Sequence, residues 1–303
     1  MKHDPISLLE RAAQVYDFAA AIRAPAAAPA ADVAAPFPEP APGRAPVPDA
    51  PRPRPRPAGA VAVVDRMALA DAGFIVPEAP VTGLAEEFRL VKRQLLAGIE
   101  RRTTQSEEKR RSVLVCSPQS GDGKSFCAIN LALSLAGERG VGVLLVDGDF
   151  SKPDIPAILG IEAGPGLVDA IVDPAADPEA FVVRTDVPGL SVLAAGARAN
   201  DVPELLASER TRDVLARLAA ADPSRIILFD SAPALMASPA SLLAARVGQA
   251  LVVVRADRTT EADLRETIAM LSGCEHIALL LNAAGITVTG RRFGSYEGYG
   301  GED

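Results

Sequence analysis

Residues 112–137 read SVLVCSPQSGDGKSFCAINLALSLAG, the segment that is most informative about the fold. Its first residues form a short, mostly apolar run of the kind that makes a buried strand. A turn with two glycines follows, and from Lys124 onward the pattern is that of a helix. The order of strand, glycine turn and helix predicts one unit of a parallel α/β sheet.

Further β-type runs follow this unit along the chain, separated by stretches that have a helical pattern. They are VGVLLVD (141–147), LSVLAA (190–195), RIILFD (225–230), ALVVVRA (250–256) and IALLLN (277–282). Because these runs lack a polar residue at every second position, they suit strands that are covered on both faces. The predicted fold class is α/β, with a doubly wound, mainly parallel sheet and helices on each side.

The glycine turn has the pattern of a phosphate-binding loop. Gly121 and Gly123 allow the backbone to turn its N–H groups inward, where the following helix presents its positive N-terminus. Lys124 is placed to reach the β- and γ-phosphates of a nucleotide, and Ser125 to ligate Mg²⁺. The match is incomplete, since Pro118 stands where the motif has its first glycine. A glycine turn that caps a helix without any ligand is the alternative.

Aspartates close two of the later strands. Asp147 and Asp149 follow one apolar run, and Asp230 ends another. Carboxyl ends of parallel strands border the ligand site in open α/β sheets, so these carboxylates are expected beside the glycine turn. Ser125 and Asp230 suffice as Mg²⁺ ligands, with Asp147 as a third candidate. Asp147 and Asp149 are also placed to orient water or a nucleophile. Aspartates that serve only as turn or N-cap residues remain an alternative.

The composition divides the chain into segments. Residues 1–23 carry apolar side chains at helical spacing, which predicts an amphipathic helix. Residues 24–80 begin with an alanine- and proline-dominated stretch that includes PRPRPRP, which predicts a disordered linker. Residues 81–285 form the predicted P-loop domain, led by a helix at 84–101. Residues 286–303 form a predicted flexible tail rich in glycine.

Charge, cysteine content and hydropathy exclude several classes of function. The formal net charge of −8 lacks the basic footprint of a nucleic-acid-binding protein, so no nucleic-acid partner is expected. Cys116, Cys127 and Cys274 are widely spaced, which predicts reduced thiols in a cytosolic protein. Apolar runs fall short of the ~18 residues that cross a bilayer, so no direct membrane span is expected. Charged residues in the first segment argue against an export signal.

Three motifs together resemble those of a known family. SPQSGDGKS (117–125), LLVDGDFSKP (144–153) and LFDSAP (228–233) are similar to the Walker-type motifs of bacterial tyrosine kinases. Those enzymes are P-loop proteins related to the ParA and MinD ATPases. EEFRLVKRQLL (86–96) is similar to the helix through which that family assembles.

The resemblance implies an ATP-dependent protein-tyrosine autokinase with ATP and Mg²⁺ as cofactors. It assigns Lys124, Asp147 and Asp149 to catalysis. Tyr296 and Tyr299, two of the three tyrosines in the chain, are the implied phosphoacceptors. The candidate nucleotide contacts, with the last one proposed for the base, are Ser120, Gly121, Asp122, Gly123, Lys124, Ser125, Phe126 and Asn282.

The resemblance also implies partners. Glu86, Arg89 and Lys92 correspond to the family's assembly motif, so a homo-oligomer in the form of a ring is expected. Lys92 replaces an arginine of that motif, which keeps the charge but loses the bidentate fork. ELLAS (204–208) and ADRTT (256–260) further resemble the autokinases of exosortase-associated exopolysaccharide clusters. Such kinases act with a membrane-embedded polysaccharide co-polymerase, a chain-length determinant protein. The expected location is cytoplasmic, peripheral to the inner membrane through this partner.

Two other functions remain open. An ATPase of the ParA or MinD type would hydrolyse ATP between two subunits and phosphorylate nothing. Gln119 stands where that group has a signature lysine, which argues against this function. A nucleotide-sensing adaptor would bind ATP and regulate polysaccharide synthesis without turnover, although Lys124 and the strand-end aspartates are those of a working site.

Overall fold

The computed structural model of the 303-residue chain describes residues 60–199 and 201–284. The predicted helix at 1–23, the proline-rich part of the linker and the tail with Tyr296 and Tyr299 lie outside the described residues. Among the helices that are described, none is both long enough and apolar enough to cross a membrane.

One eight-stranded sheet organises the described residues. Its strands are β1 (Val61–Ala62), β2 (Ser112–Cys116), β3 (Gly142–Gly148), β4 (Val183–Thr185), β5 (Leu190–Leu193), β6 (Arg225–Ser231), β7 (Gln249–Arg255) and β8 (Ile277–Asn282). Their order across the sheet is β1-β4-β5-β3-β6-β2-β7-β8. All neighbouring pairs are parallel except β4 with β5. The predicted α/β class with a mainly parallel sheet is confirmed.

Helices connect the strands. They are α1 (Arg66–Asp71), α2 (Gly83–Arg101), α3 (Glu107–Arg110), α4 (Lys124–Ala136), α5 (Ile155–Ile158), α6 (Leu167–Val172), a 3₁₀ helix (Pro178–Phe181), α7 (Val202–Ala207), α8 (Glu209–Ala220), α9 (Pro239–Ala244) and α10 (Glu261–Met270). The helix predicted at 84–101 is therefore α2. Its N-cap is Thr82, whose hydroxyl accepts a hydrogen bond from the backbone N–H of Ala85.

Two hydrophobic cores lie on opposite faces of the sheet. Val113 and Val115 of β2 belong to the first core, together with apolar side chains of α1, α2 and α4. Leu114 and Cys116 of the same strand belong to the second core, which α6, α7, α8 and α9 cover. Because successive side chains of a strand point to opposite faces, β2 needs apolar residues at each position from Val113 to Cys116. This requirement explains why its sequence does not alternate.

The structure differs from the predicted linker boundary at residue 80. Strand β1 pairs with β4, and Val64 and Leu69 are buried in the first core. The backbone N–H of Ile75 donates to the side chain of Asn130 on α4. The stretch from Val61 to Ile75 therefore packs as part of the domain. A two-residue strand and a six-residue helix are too short for a period of 2.0 or 3.6 to show in the sequence.

Candidate active site

The candidate site lies at the carboxyl ends of the central strands. β2 pairs with β6 and β7, and β6 pairs with β3, so the loops that follow these strands meet at one edge of the sheet. The loop after β2 leads into α4, which begins at Lys124. The structure thus brings the predicted phosphate loop and the ends of β3 and β6 together, as expected for an open α/β sheet.

The phosphate loop depends on two glycines with left-handed backbone. Gly121 has φ 82° and Gly123, the N-cap of α4, has φ 95°. A residue with a Cβ would be strained in this conformation, so glycine is the residue that fits it. Inside the loop the buried carboxylate of Asp122 accepts a hydrogen bond of 2.9 Å from the N–H of Gln119. This internal bond helps to hold the loop in a turn that opens toward the N-terminus of α4.

Lys124 is held at the mouth of the loop by a carboxylate. Its Nζ lies 3.0 Å from Oδ2 of Asp149 and 3.2 Å from Oγ of Ser125. Burial acts to lower the pKa of Lys124, but the charges of Asp230 and Asp149 outweigh it and raise the pKa above the ordinary value. The ammonium group therefore stays charged at neutral pH and is available for phosphate oxygens.

Asp147 is buried, and two backbone groups orient it. One carboxylate oxygen accepts from the N–H of Asp149 at 3.2 Å, and the other from the N–H of Ile155 at 3.1 Å. Burial raises the pKa of Asp147 to about 7, and the two hydrogen bonds oppose the rise. At neutral pH this carboxyl group can both take up and release a proton.

Asp149 lies in a different electrostatic environment. Its Oδ1 accepts from the Ser151 hydroxyl at 2.6 Å and from the N–H of Lys152 at 3.1 Å. Burial acts to raise the pKa of Asp149, but the Ser151 hydrogen bond and the charge of Lys124 lower it below the ordinary value. Two neighbouring aspartates of one strand end are thus driven to different ionisation, a pattern that active sites often show.

Asp230 is a buried carboxylate of the site whose charge is only partly compensated. It pairs in register with Asp147 across β6 and β3, and it is 0% exposed. Neither of its carboxylate oxygens makes a hydrogen bond of good geometry within the described residues, although the Ser125 hydroxyl lies near enough to lower the pKa of Asp230. Burial raises the pKa of Asp230 to about 7, opposed by the charge of Lys124. A buried carboxylate with so little compensation is costly unless a ligand satisfies it, and a cation would do so.

The donor set fits Mg²⁺. In the described part of the chain no group of three His, Cys, Asp or Glu side chains forms a ready metal cage. Mg²⁺ does not need one, because it keeps several waters and binds through one or two carboxylates plus phosphate oxygens. Ser125, near Lys124 at the start of α4, and the buried Asp230 supply hydroxyl and carboxylate ligands of this kind.

Two predicted nucleotide contacts have intramolecular partners. The amide of Asn282, at the end of β8, donates to the backbone carbonyl of Asp122 at 2.9 Å. The ring of Phe126 packs on Phe74 with centroids 4.9 Å apart, which leaves its backbone N–H, in the first turn of α4, as the group for phosphate. Ser120 is exposed at the loop. That Asn282 contacts the base stays a prediction.

Two charged residues of the site were not among the predicted set. Asp154, the N-cap of α5, has an oxygen that is buried without a partner among the described residues, and burial raises its pKa against the charge of Lys124. Arg255, the last residue of β7, donates from Nη1 to the carbonyl of Gly121 at 2.7 Å. A sequence signal for Arg255 was its position just before the ADRTT motif.

The predicted assembly residues lie on α2. Arg89 and Glu86 form an exposed ion pair with each other. Lys92 is only 12% exposed in its side chain and pairs with Glu138 beyond the end of α4 at 2.8 Å. The three residues therefore do not form one solvated row, because Lys92 is drawn onto the body of the domain. Their role at a subunit interface stays a prediction.

Sheet, phosphate loop and strand-end acids together define a P-loop NTPase domain with a ParA-like fold. A family model described as ParA, an NUBPL iron-transfer P-loop NTPase, matches residues 108–188. Within this class the chain resembles the bacterial tyrosine-protein kinases, and the resemblance seen in the motifs is confirmed by the following relatives.

Relatives with this name cover the domain to different extents. EpsB of Ralstonia nicotianae, provisionally named a tyrosine-protein kinase, is 36% identical over 159 residues, which cover 52% of this chain and 21% of EpsB. Tyrosine-protein kinase YwqD of Bacillus subtilis is 25% identical over 217 residues, which cover 71% of this chain and 85% of YwqD. The aligned part of the chain thus spans only 21% of the length of EpsB but most of YwqD.

Solved structures show the same fold. The kinase domain of Escherichia coli tyrosine kinase ETK superposes with a TM-score of 0.59 at 18% identity, covering 77% of this chain and 92% of that one. The VpsO kinase domain has a TM-score of 0.50 at 28% identity, covering 62% of this chain and 96% of that one. The likeness to ETK concerns the fold, since its sequence identity is low.

Proposed function

We propose that the chain is an ATP-dependent protein-tyrosine kinase that phosphorylates its own Tyr296 and Tyr299. The observation that carries the proposal is the buried carboxylate of Asp230, which lacks a hydrogen bond of good geometry and lies near the charged Lys124 and the Ser125 hydroxyl at the phosphate loop. Such a group of side chains suits a magnesium-bound triphosphate. Relatives that align with these motifs are named tyrosine-protein kinases, which favours transfer to a phenol over hydrolysis.

The loop and its neighbours would bind the nucleotide. Backbone N–H groups around Gly121 and Gly123 would donate to phosphate oxygens, together with the N-terminus of α4. Ser125 and Asp230 would hold Mg²⁺, which neutralises charge on the phosphates. Lys124, whose pKa lies above its ordinary value, would place a positive charge beside the γ-phosphate.

Asp147 is the group that we assign to the tyrosine proton. The phenol oxygen forms a bond to the γ-phosphorus while the bond to the bridging oxygen breaks, and ADP leaves with that electron pair. The phenol proton passes to Asp147, whose pKa of about 7 suits a proton acceptor near neutral pH. Hydrogen bonds from Asp149 and Ile155 hold the carboxylate in one orientation during the transfer.

The tail has the length to deliver an acceptor. Asn282 ends β8 beside the phosphate loop, and fourteen residues lead from it to Tyr296. Fully extended at about 3.3 Å per residue, this tether spans about 46 Å. That is about the width of a domain of this size, so a tyrosine can reach the site of a neighbouring subunit.

The wider role follows from the resemblance. We propose that the kinase regulates exopolysaccharide synthesis or export together with a membrane-embedded co-polymerase, and that it is held at the inner membrane from the cytoplasmic side by that partner. Glu86 and Arg89 are proposed to lie at the subunit interface of a homo-oligomer. Co-purification of the full chain with a membrane-embedded co-polymerase tests the partnership.

The decisive experiment follows the fate of the γ-phosphate. The full chain is incubated with γ-labelled ATP and Mg²⁺, with and without the co-polymerase, and label is located by fragment mass spectrometry. We expect label on Tyr296 or Tyr299 and none on Tyr16, the third tyrosine. Lys124→Met should abolish labelling, whereas Lys152→Met, a matched change of an exposed lysine nearby, should leave it intact.

The same experiment separates the alternatives. Label only on free phosphate would indicate a ParA-type ATPase, and bound ATP with label on neither would indicate a nucleotide-sensing adaptor. Labelled tyrosine in Lys124→Met at the wild-type amount would contradict the proposed mechanism, because the cation that faces the phosphates would then be dispensable.

A further inference from the structure

Side chains from two neighbouring strands hold the outer surface of the phosphate loop. Nη1 of Arg255 donates to the carbonyl of Gly121 at 2.7 Å, and Nδ2 of Asn282 donates to the carbonyl of Asp122 at 2.9 Å. The two acceptors are the backbone carbonyls of consecutive loop residues, Gly121 and Asp122. The loop is thus bonded from the side of β7 and β8 as well as through its own Gln119–Asp122 hydrogen bond.

Holding these carbonyls affects the groups that bind phosphate. A peptide unit is planar, so its carbonyl and its N–H point in opposite directions. A side chain that holds a loop carbonyl from outside therefore keeps the N–H of the same peptide unit pointing inward, where an anion binds. Glycines in the left-handed region gain much freedom when the loop opens, so such bonds restrict a segment that would otherwise be mobile.

The strand ends that carry these two side chains are hydrogen-bonded to each other through the backbone. Arg255 and Asn282 pair in register across β7 and β8. The N–H of Arg255 donates to the Thr259 hydroxyl at 2.9 Å, and the N–H of Ala256 donates to the carbonyl of Asn282 at 2.9 Å. Both donors to the loop therefore start from rigid strand ends, which suits them to position another segment.

Asn282 also explains one of the loop glycines. A Cβ on Gly123 would lie 2.1 Å from Nδ2 of Asn282, far inside a van der Waals contact. Gly123 is thus favoured first by its φ of 95°, and a Cβ there would also displace this amide. The amide and the glycine form one fitted contact at the N-terminus of α4.

We propose that Arg255 and Asn282 are positioning residues that preorganise the phosphate loop from its outer surface. They raise nucleotide affinity by holding the loop in its binding conformation before the nucleotide arrives. Neither residue has to touch the nucleotide for this effect. The proposal rests on nucleotide binding at the site described above and not on transfer to tyrosine.

Four variants of the full chain test the proposal. Arg255→Gln removes the donor to Gly121, and Arg258→Gln is its matched control. Arg258 belongs to the same connection and lies 2.8 Å from where a Cβ of Gly121 would be, but it makes no hydrogen bond to the loop in the described part of the chain. Both changes remove one positive charge at the same place, so a general charge effect on a triphosphate is the same in both. Asn282→Ala is the third variant.

Two measurements are made on each variant. Calorimetry gives the Kd for Mg-ATP and for Mg-tripolyphosphate, which has no base. Hydrogen exchange on the nucleotide-free protein reports the backbone amides of residues 119–124. We expect Arg255→Gln to raise both Kd values about tenfold and to speed amide exchange in the loop, with Arg258→Gln changing Kd less than about twofold. Arg255→Lys should recover part of the affinity, because it restores a donor without the fork.

Other results would overturn the proposal. Equal Kd changes in Arg255→Gln and Arg258→Gln would mean that charge alone matters. Weaker ATP binding by Asn282→Ala with unchanged tripolyphosphate binding would make Asn282 a base contact. If the loop amides exchanged at the wild-type rate in both Arg255→Gln and Asn282→Ala, the two hydrogen bonds would not restrict the loop. This result would not depend on whether the protein is a kinase. A wild-type chain that binds Mg-ATP but labels no tyrosine would refute only the proposed kinase activity.

Discussion

Replacing Asp230 with asparagine should stabilise the magnesium-free domain at alkaline pH. Burial raises the pKa of this carboxyl group from 3.8 to about 7, with the charge of Lys124 opposing the rise. A raised pKa in the folded state means that the folded protein prefers the protonated form, so stability falls as pH rises from 3.8 to about 7. Each pH unit in that interval lowers the free energy of unfolding by about 1.36 kcal/mol, so the buried charge destabilises the fold by about 4 kcal/mol above pH 7.

The asparagine recovers part of that cost. It removes the charge but leaves a buried amide without partners, which costs about 1–3 kcal/mol. We therefore expect a net gain of about 2 kcal/mol at pH 8, which for a domain of this size is a rise in Tm of about 4–8 °C. At pH 5 the wild-type carboxyl group is protonated, so the gain should vanish or change sign. Mg-ATP should raise the Tm of the wild type and not that of the variant.

Thermal unfolding in EDTA at pH 5 and pH 8 measures the effect, and Asp149→Asn is the matched control. Burial acts to raise the pKa of Asp149, but Ser151 and Lys124 lower it. Its charged form therefore stabilises the fold above the unfolded-state pKa, and this stabilisation is lost as pH falls. The control should lower Tm at pH 8. If Asp230→Asn lowered Tm at pH 8 by a similar amount, the reasoning about a buried, partly compensated charge would be refuted.

Three further predictions concern the loop, the first segment of the domain and the interface. Gly123→Ala should weaken nucleotide binding, because a residue with a Cβ is strained at a φ of 95° and the methyl group would displace the Asn282 amide from the loop. Gly140→Ala, with a φ of 74° and nothing within 4 Å, should cost about 1 kcal/mol of stability and leave binding unchanged in calorimetry. Leu69→Ala, at 0% exposure, should cost about 2–5 kcal/mol in chemical unfolding, whereas Met67→Ala, at 77% exposure, should cost less than about 0.5 kcal/mol; equal effects would contradict packing of this segment. Arg89→Ala should shift the nucleotide-bound protein toward monomer in sedimentation, and unchanged oligomers would remove it from the interface.

Much of the fold could be predicted because a strand that is covered on both faces has a recognisable local sequence, a short run of apolar residues. The runs at 112–117 and 225–230 are largely apolar without alternation, and the structure has strands there that are buried at every position. The run at 277–282 is also a strand, but the prediction that it is covered on both faces is wrong, because β8 lies at the edge of the sheet with Leu279 54% and Leu281 62% exposed.

The helix predicted at 84–101 matches α2, which begins one residue earlier, at Gly83. Strands β1 and β4 were missed, since two or three residues carry no detectable period. Their pairing also joins residues far apart in the chain, as between Val61 and its partner Arg184.

For the site, the residue types and their positions at strand ends could be predicted from the sequence. Their mutual arrangement and their pKa values could not. Glycines before Lys124 and aspartates after apolar runs follow from local rules for phosphate loops and sheet edges. The positions of Asp147 and Asp230 opposite each other depend on the order of β3 and β6 in the sheet, which joins residues far apart in the chain. Their pKa values near 7 come from burial, which no single strand can produce alone.

Local sequence patterns were enough to predict a parallel α/β domain with a glycine loop for phosphate, because those properties depend on neighbours within a few residues. Tertiary structure decided which strand ends meet, that Lys92 pairs with Glu138, and that Arg255 and Asn282 hold the loop. These contacts join segments more than forty residues apart. Their formation depends on how the whole sheet is ordered, and no local pattern of side chains encodes that order.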